Sequence, residues 1–87
     1  MTEKEIQLLG FERQDEEDLY EHSYHYYTYK VAQGFEFISN ASDGVGEDGQ
    51  WYVEFFDSDP VIRFYLFEEV QQLINLLENR IHKKINN

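Results

Sequence analysis

The side chains best suited to acid–base or metal chemistry in this 87-residue sequence are three histidines, His22, His25 and His82, and eighteen carboxylates; cysteine is absent. Without thiols, disulfides and thiolate metal sites are excluded. His22 and His25 lie three apart in a stretch that reads as a strand. Residues at i and i+3 on a strand point to opposite faces, so the pair does not converge on one ion. Both are expected to be exposed strand histidines, and His82 lies far along the chain. Paired carboxylates could serve glycoside hydrolysis. With eighteen acids, however, some pair always falls at a suitable separation, so the pattern carries no specificity.

Asn40–Gly49, Asn-Ala-Ser-Asp-Gly-Val-Gly-Glu-Asp-Gly, has the composition of a cation or phosphate loop. Placing Gly44 at the sixth position of a calcium loop puts Ser39, Ala41 and Asp43 at the first ligand positions and Gln50 where a glutamate is needed. No Gly-Lys-Ser/Thr follows, as a P-loop requires, and Gly44-Val45-Gly46 lacks the third glycine of a dinucleotide fingerprint. The segment reads as a polar loop. No nucleophile-and-base arrangement stands out, and one helix on one sheet leaves little room for a deep pocket. The expectation is a protein that is not an enzyme and uses no cofactor or metal.

Charge is the strongest signal. Eighteen acids against seven bases give a net charge of −11. From Glu12 to Asp59 thirteen acids face only Arg13 and Lys30, so that stretch alone carries −11; outside it five acids balance five bases. Direct binding to a phosphate backbone needs lysine and arginine, so no nucleic acid contact is expected. Basic protein surfaces, including those that hold nucleic acid, are the natural partners. Tyrosines add to this: Tyr20, Tyr24, Tyr26, Tyr27 and Tyr29 are denser than a core requires. Aromatics are frequent at binding surfaces, although tyrosine also tolerates a solvated sheet face. Candidate contact residues are Asp15, Glu16, Glu17, Asp18, Glu21, Asp43, Glu47, Asp48, Asp57 and Asp59, with Tyr24 and Tyr26.

The elements that must position these residues follow from local pattern. Thr2 and Glu5 form a capping box for a helix over Glu3–Leu9, stopped by Gly10. Phe11 to Arg13 can begin a strand, and the acidic run Asp15–Asp18 is expected to be a solvated loop. His22–Val31 reads as a strand with Tyr27, Tyr29 and Val31 on one face and Tyr24, Tyr26 and Thr28 on the other. Phe35–Ser39, Trp51–Phe56 and Ile62–Leu66 alternate as further strands, with turns at Gln33-Gly34 and Asp57–Pro60. Val70, Leu73, Ile74, Leu77, Ile81 and Ile85 recur at helical spacing over Phe67 to about Lys84. Glu68 and Glu69 begin that helix and Arg80, Lys83 and Lys84 end it, as its dipole favours. The fold expected is α+β in a single domain: a short helix, an antiparallel meander of three to five strands, and an amphipathic helix on one sheet face. No apolar run reaches membrane-span length and no signal segment opens the chain, which points to a cytoplasmic protein.

The segments Ile38–Ala41, Trp51–Phe56 and Ile62–Phe64, with the Glu68-Glu69 helix, resemble small uncharacterised proteins of bacterial and phage genomes, over residues 24–84. In size and charge the chain is also similar to phage inhibitors that imitate nucleic acid, anti-CRISPR proteins among them. That likeness implies an inhibitor occupying a basic, nucleic-acid-binding groove of a host protein. The alternatives are a homodimerising structural or regulatory module, in which charge serves solubility, and, least favoured, a small hydrolase or metal-dependent enzyme.

Overall fold

The computed structural model describes residues 1–85, with side chains described through Ile81. Helix α1 (Glu3–Leu8) is followed by strands β1 (Glu12–Glu17), β2 (Ser23–Ala32) and β3 (Phe35–Ser39), a single 3-10 turn (Ser42–Gly44), β4 (Val53–Phe55), β5 (Arg63–Phe64) and helix α2 (Phe67–Ile85). The strands form one five-stranded antiparallel sheet in the order β1-β2-β3-β4-β5. The fold is α+β, as expected.

The capping box at α1 is present: the Thr2 hydroxyl accepts from the Glu5 amide, and the Glu5 carboxylate accepts from the Thr2 amide at 2.8 Å. Gly10 ends the helix at φ 90°, a left-handed conformation that glycine adopts without a Cβ penalty.

Strand β1 corrects one expectation. Asp15, Glu16 and Glu17 are paired strand residues, not loop, and Asp18 opens the turn after them. The register supplies the reason. Asp15 faces His25, Glu16 faces Tyr24 and Glu17 faces Ser23, so no carboxylate lies directly across from another. Two other strands are shorter than the alternation predicts. Trp51 precedes β4, and its N–H donates to the Met1 carbonyl at 2.8 Å. The Met1 ammonium in turn donates to the carbonyls of Trp51 and Tyr65, at 3.0 and 2.8 Å.

Because side chains alternate along each strand, the register assigns two faces. The inner face carries Tyr27, Phe37, Val53, Phe55 and Phe64, and the core joins the buried members of this set to Ile6 and Phe11, to Trp51, and to Val70 and Ile74 of α2. Phe37 is fully buried, with the Phe11, Phe35, Phe55 and Phe64 rings all within 6.4 Å of its own. Both helices lie on this side. The opposite row runs Glu12, Thr28, Ile38, Glu54 and Arg63 across all five strands, and no helix covers it among the described residues. On α2, Val70 and Ile74 are buried with Leu73 and Leu77 packed beside them, as the helical spacing predicts. His82, Lys83, Lys84 and Ile85, expected to finish that helix, lie outside the described side chains.

Candidate protein-binding surface

The β1–β2 hairpin carries the densest charge. Asp15 and Glu17 project from the inner side of the ribbon, Glu16 from the outer, and Tyr24 and Tyr26 share the outer side with Glu16. An open groove of about 470 Å³ is lined by Asp15, Glu16, Glu17, Ser23 and Tyr24. Arg13 is the one base on β1, and its guanidinium is engaged by Asp15 at 3.0 Å. Burial, with the nearby charge of Glu16, pushes the Tyr26 hydroxyl above its ordinary range, so it presents as a neutral phenol.

The hairpin turn is built on Asp18. Its carboxylate accepts from the amides of Tyr20 and His22, each at 2.9 Å, while its own amide donates to the His22 carbonyl and its carbonyl accepts from Glu21. The amide bonds from His22 and Tyr20 hold the Asp18 carboxyl below the usual range. Glu21 takes φ 61°, closing the turn in the left-handed region. Leu19 and Tyr20, which the alternation pattern did not single out as a pair, stand at its tip with 98% and 91% of their surface exposed.

The candidate residues do not form one patch. Asp43, Glu47 and Asp48 lie in the loop after β3, which returns to the hairpin end. Ser42 there accepts from the His25 amide, and Asp43 lies 3.4 Å from the His22 imidazole. Asp48 is partly occupied in its own loop, accepting from the Gln50 amide. Asp57 and Asp59 sit in the β4–β5 turn, beside Gly34 and Glu36 at the opposite end of the sheet. The expected set therefore divides. Asp15, Glu16, Glu17, Asp18, Glu21 and Asp43, with Tyr24 beside them, gather at one end; Glu47 and Asp48 follow in the loop beyond Asp43, Tyr26 sits further along the outer face, and Asp57 and Asp59 stand apart.

His25 is a second correction. It is not an exposed strand histidine: its ring lies against Trp51, centroids 5.8 Å apart, and Nε2 is 2.6 Å from the Glu3 carboxylate. The same carboxylate oxygen accepts from the Tyr27 hydroxyl at 2.7 Å. Burial alone would raise the Glu3 carboxyl, but hydrogen bonds from Tyr27 and His25, with the charges of His25 and Arg13, hold it below its ordinary value. This trio pins α1 to β2. Two hydroxyls bond the backbone of the same residues: Ser39 Oγ accepts from the Tyr27 amide and donates to the Asn40 carbonyl, and Ser42 Oγ accepts from the His25 amide. Among the described residues, no three of His, Cys, Asp and Glu converge as a metal-ligand set.

Two further features were missed by sequence reasoning. An apolar groove of about 330 Å³, between Phe35, Phe55, Phe56 and Ile62, opens at the β4–β5 end. The Arg63 guanidinium lies over the Tyr52 ring at 4.2 Å. Exposed Phe56 and Ile62 flanking the Asp57–Pro60 turn were the available signal for the first. The second joins Tyr52, just before β4, to Arg63 on β5 and leaves no local trace.

Among the described residues no helix is long and apolar enough to cross a membrane. Comparison with protein-family models, with curated proteins and with solved structures finds no match to this chain.

Proposed function

We propose that the chain is a non-enzymatic, acidic protein-binding module that places its β1–β2 hairpin on a basic surface of another protein, of the kind that normally holds nucleic acid. The extended conformation of the acidic run carries this reading. In a loop, Asp15, Glu16 and Glu17 would have no fixed spacing; in β1 they follow one another at a strand's rise of about 3.4 Å per residue. One strand of B-DNA carries one phosphate per about 3.4 Å of axis. Counted along the strand, the hairpin edge thus carries a comparable linear charge density, divided between its two sides: Asp15 and Glu17 stand about 6.8 Å apart on one, with Asp15 also engaged by Arg13, and Glu16 stands on the other. Carboxylates at this density steer a positively charged partner into place. The outward Tyr24 and Tyr26 add aromatic area that charge does not supply.

The test is capture of partners from nuclease-treated extract at low and high salt, with heparin as competitor. The reading requires a nucleic-acid-binding protein whose capture falls with salt and with heparin, and which the triple variant Asp15→Asn/Glu16→Gln/Glu17→Gln no longer retains. Capture indifferent to all three would refute it.

The uncovered outer face, with Ile38 between Thr28 and Glu54, favours a second reading: a homodimer joined through this face. Light scattering separates the two, since a stable dimer disrupted by Ile38→Lys supports the second.

A further inference from the structure

The turn between β1 and β2 ends in two adjacent apolar side chains that serve no purpose inside the molecule. Leu19 is 98% and Tyr20 91% exposed, whereas the side chain that builds the turn is that of Asp18. Polar residues at positions 19 and 20 would fold equally well. A lone exposed leucine needs no explanation. A leucine and a tyrosine side by side, on a turn whose backbone is already fixed, form a small preorganised anchor, and ordering costs on binding are correspondingly low.

Charge decides what such an anchor fits. Asp15, Glu16, Glu17, Asp18 and Glu21 flank the tip, and between Asp15 and Glu21 there is no lysine or arginine. An acidic rim around an apolar pocket would repel these carboxylates, and a neutral rim would desolvate them without a partner. We infer that Leu19 and Tyr20 are the anchor of the interface and enter an apolar pocket on a partner protein whose rim carries lysine or arginine. This rests on the acidic-module reading and deepens it. The carboxylates engage the rim and set approach and salt dependence; the two tip residues fill the pocket and set how long the complex lasts.

Two defined probes separate these contributions in the full-length chain. Poly-L-lysine offers charge alone; an amphipathic helical peptide of leucine and lysine offers an apolar stripe rimmed by ammonium groups. The expected result is that wild type binds the amphipathic peptide at least about tenfold more tightly than the charge-matched polylysine. Leu19→Ser/Tyr20→Ser should erase that difference while leaving polylysine binding and the thermal midpoint unchanged. Equal affinity of wild type and this double variant for the amphipathic peptide overturns the inference.

With p-benzoylphenylalanine in place of Tyr20, photo-crosslinks in extract should converge on apolar residues beside lysine or arginine of one protein. Excess wild-type chain should suppress them about tenfold better than Leu19→Ser/Tyr20→Ser. Crosslinks to a second copy of this chain, or scattered over many proteins, overturn it. If the carboxylate triple variant fails to compete while the tip variant competes fully, the acidic module stands and the anchor falls. If both compete fully, both readings fall.

Discussion

The Tyr29 hydroxyl on β2 donates to the Glu78 carboxylate on α2 at 2.7 Å, across 49 residues of sequence. Burial, reinforced by this bond and by the Glu78 charge, pushes the Tyr29 hydroxyl up to about 12. A phenol whose folded value lies above its unfolded value, about 10, contributes stability that is full below the unfolded value and is lost as pH rises through the folded one. Stability should therefore fall between about pH 10 and about 12, and Tyr29→Phe should flatten that part of the profile. At neutral pH the same substitution should cost about 1–2 kcal/mol in urea unfolding. An unchanged alkaline profile would show that the bond does not persist in solution.

Glu3 gives the opposite limb. Its folded value is depressed, so its contribution is present above the ordinary glutamate value, about 4.3, and is lost as pH falls through the folded value. Glu3→Gln should remove part of the acid-side loss of stability and cost about 1 kcal/mol at neutral pH, since the carboxylate is partly exposed and screened. Acid-side thermal melts of the two proteins check this; superimposable curves after normalisation would argue against the Tyr27–Glu3–His25 contact.

Phe37 is the position where the core is most sensitive. It is fully buried among four other phenylalanine rings. Phe37→Ala should cost about 3–5 kcal/mol, a large share of the stability of a domain whose total is about 5–15 kcal/mol. Chemical denaturation of Phe37→Ala and, as a milder step, Phe37→Leu should rank them in that order. A smaller loss than for Phe56→Ala, whose ring is exposed, would contradict the packing.

Asp18 organises the hairpin tip without being buried. Asp18→Ala should leave global unfolding almost unchanged and accelerate hydrogen exchange at the amides of Tyr20 and His22, which lose their acceptor. Asp18→Asn, which keeps an acceptor oxygen, should restore most of the protection. Equal exchange in all three proteins would mean that the turn is held by backbone bonds alone.

The parts of the fold legible in the sequence were those written in neighbouring residues. Thr2 and Glu5 announced α1, alternation announced β2 and β3, and Val70 to Leu77 announced the buried stripe of α2. Asp15–Glu17 misled because four successive acids repel one another in any local reading; only the register shows that histidine, tyrosine and serine stand opposite them. The placement of His25 was hidden for a related reason, since Glu3 and Trp51 reach it from 22 and 26 residues away. The division of the acids between two ends was equally invisible, because it depends on the direction in which each strand runs.

The strand order has a consequence for how the molecule is made. Each strand pairs with the one synthesised just before it, so the sheet can zip up in the order of synthesis through short loop closures, which favour rapid folding. Until Phe67 and the residues after it arrive, however, the sheet lacks Val70 and Ile74, and the part of its inner face that α1 and Phe11 do not cover stands open. A nascent or truncated chain ending before α2 would thus be a formed sheet whose aromatic side is covered only in part, by α1 and Phe11. The stage most exposed to aggregation or to chaperone capture is then the last one, just before that helix docks.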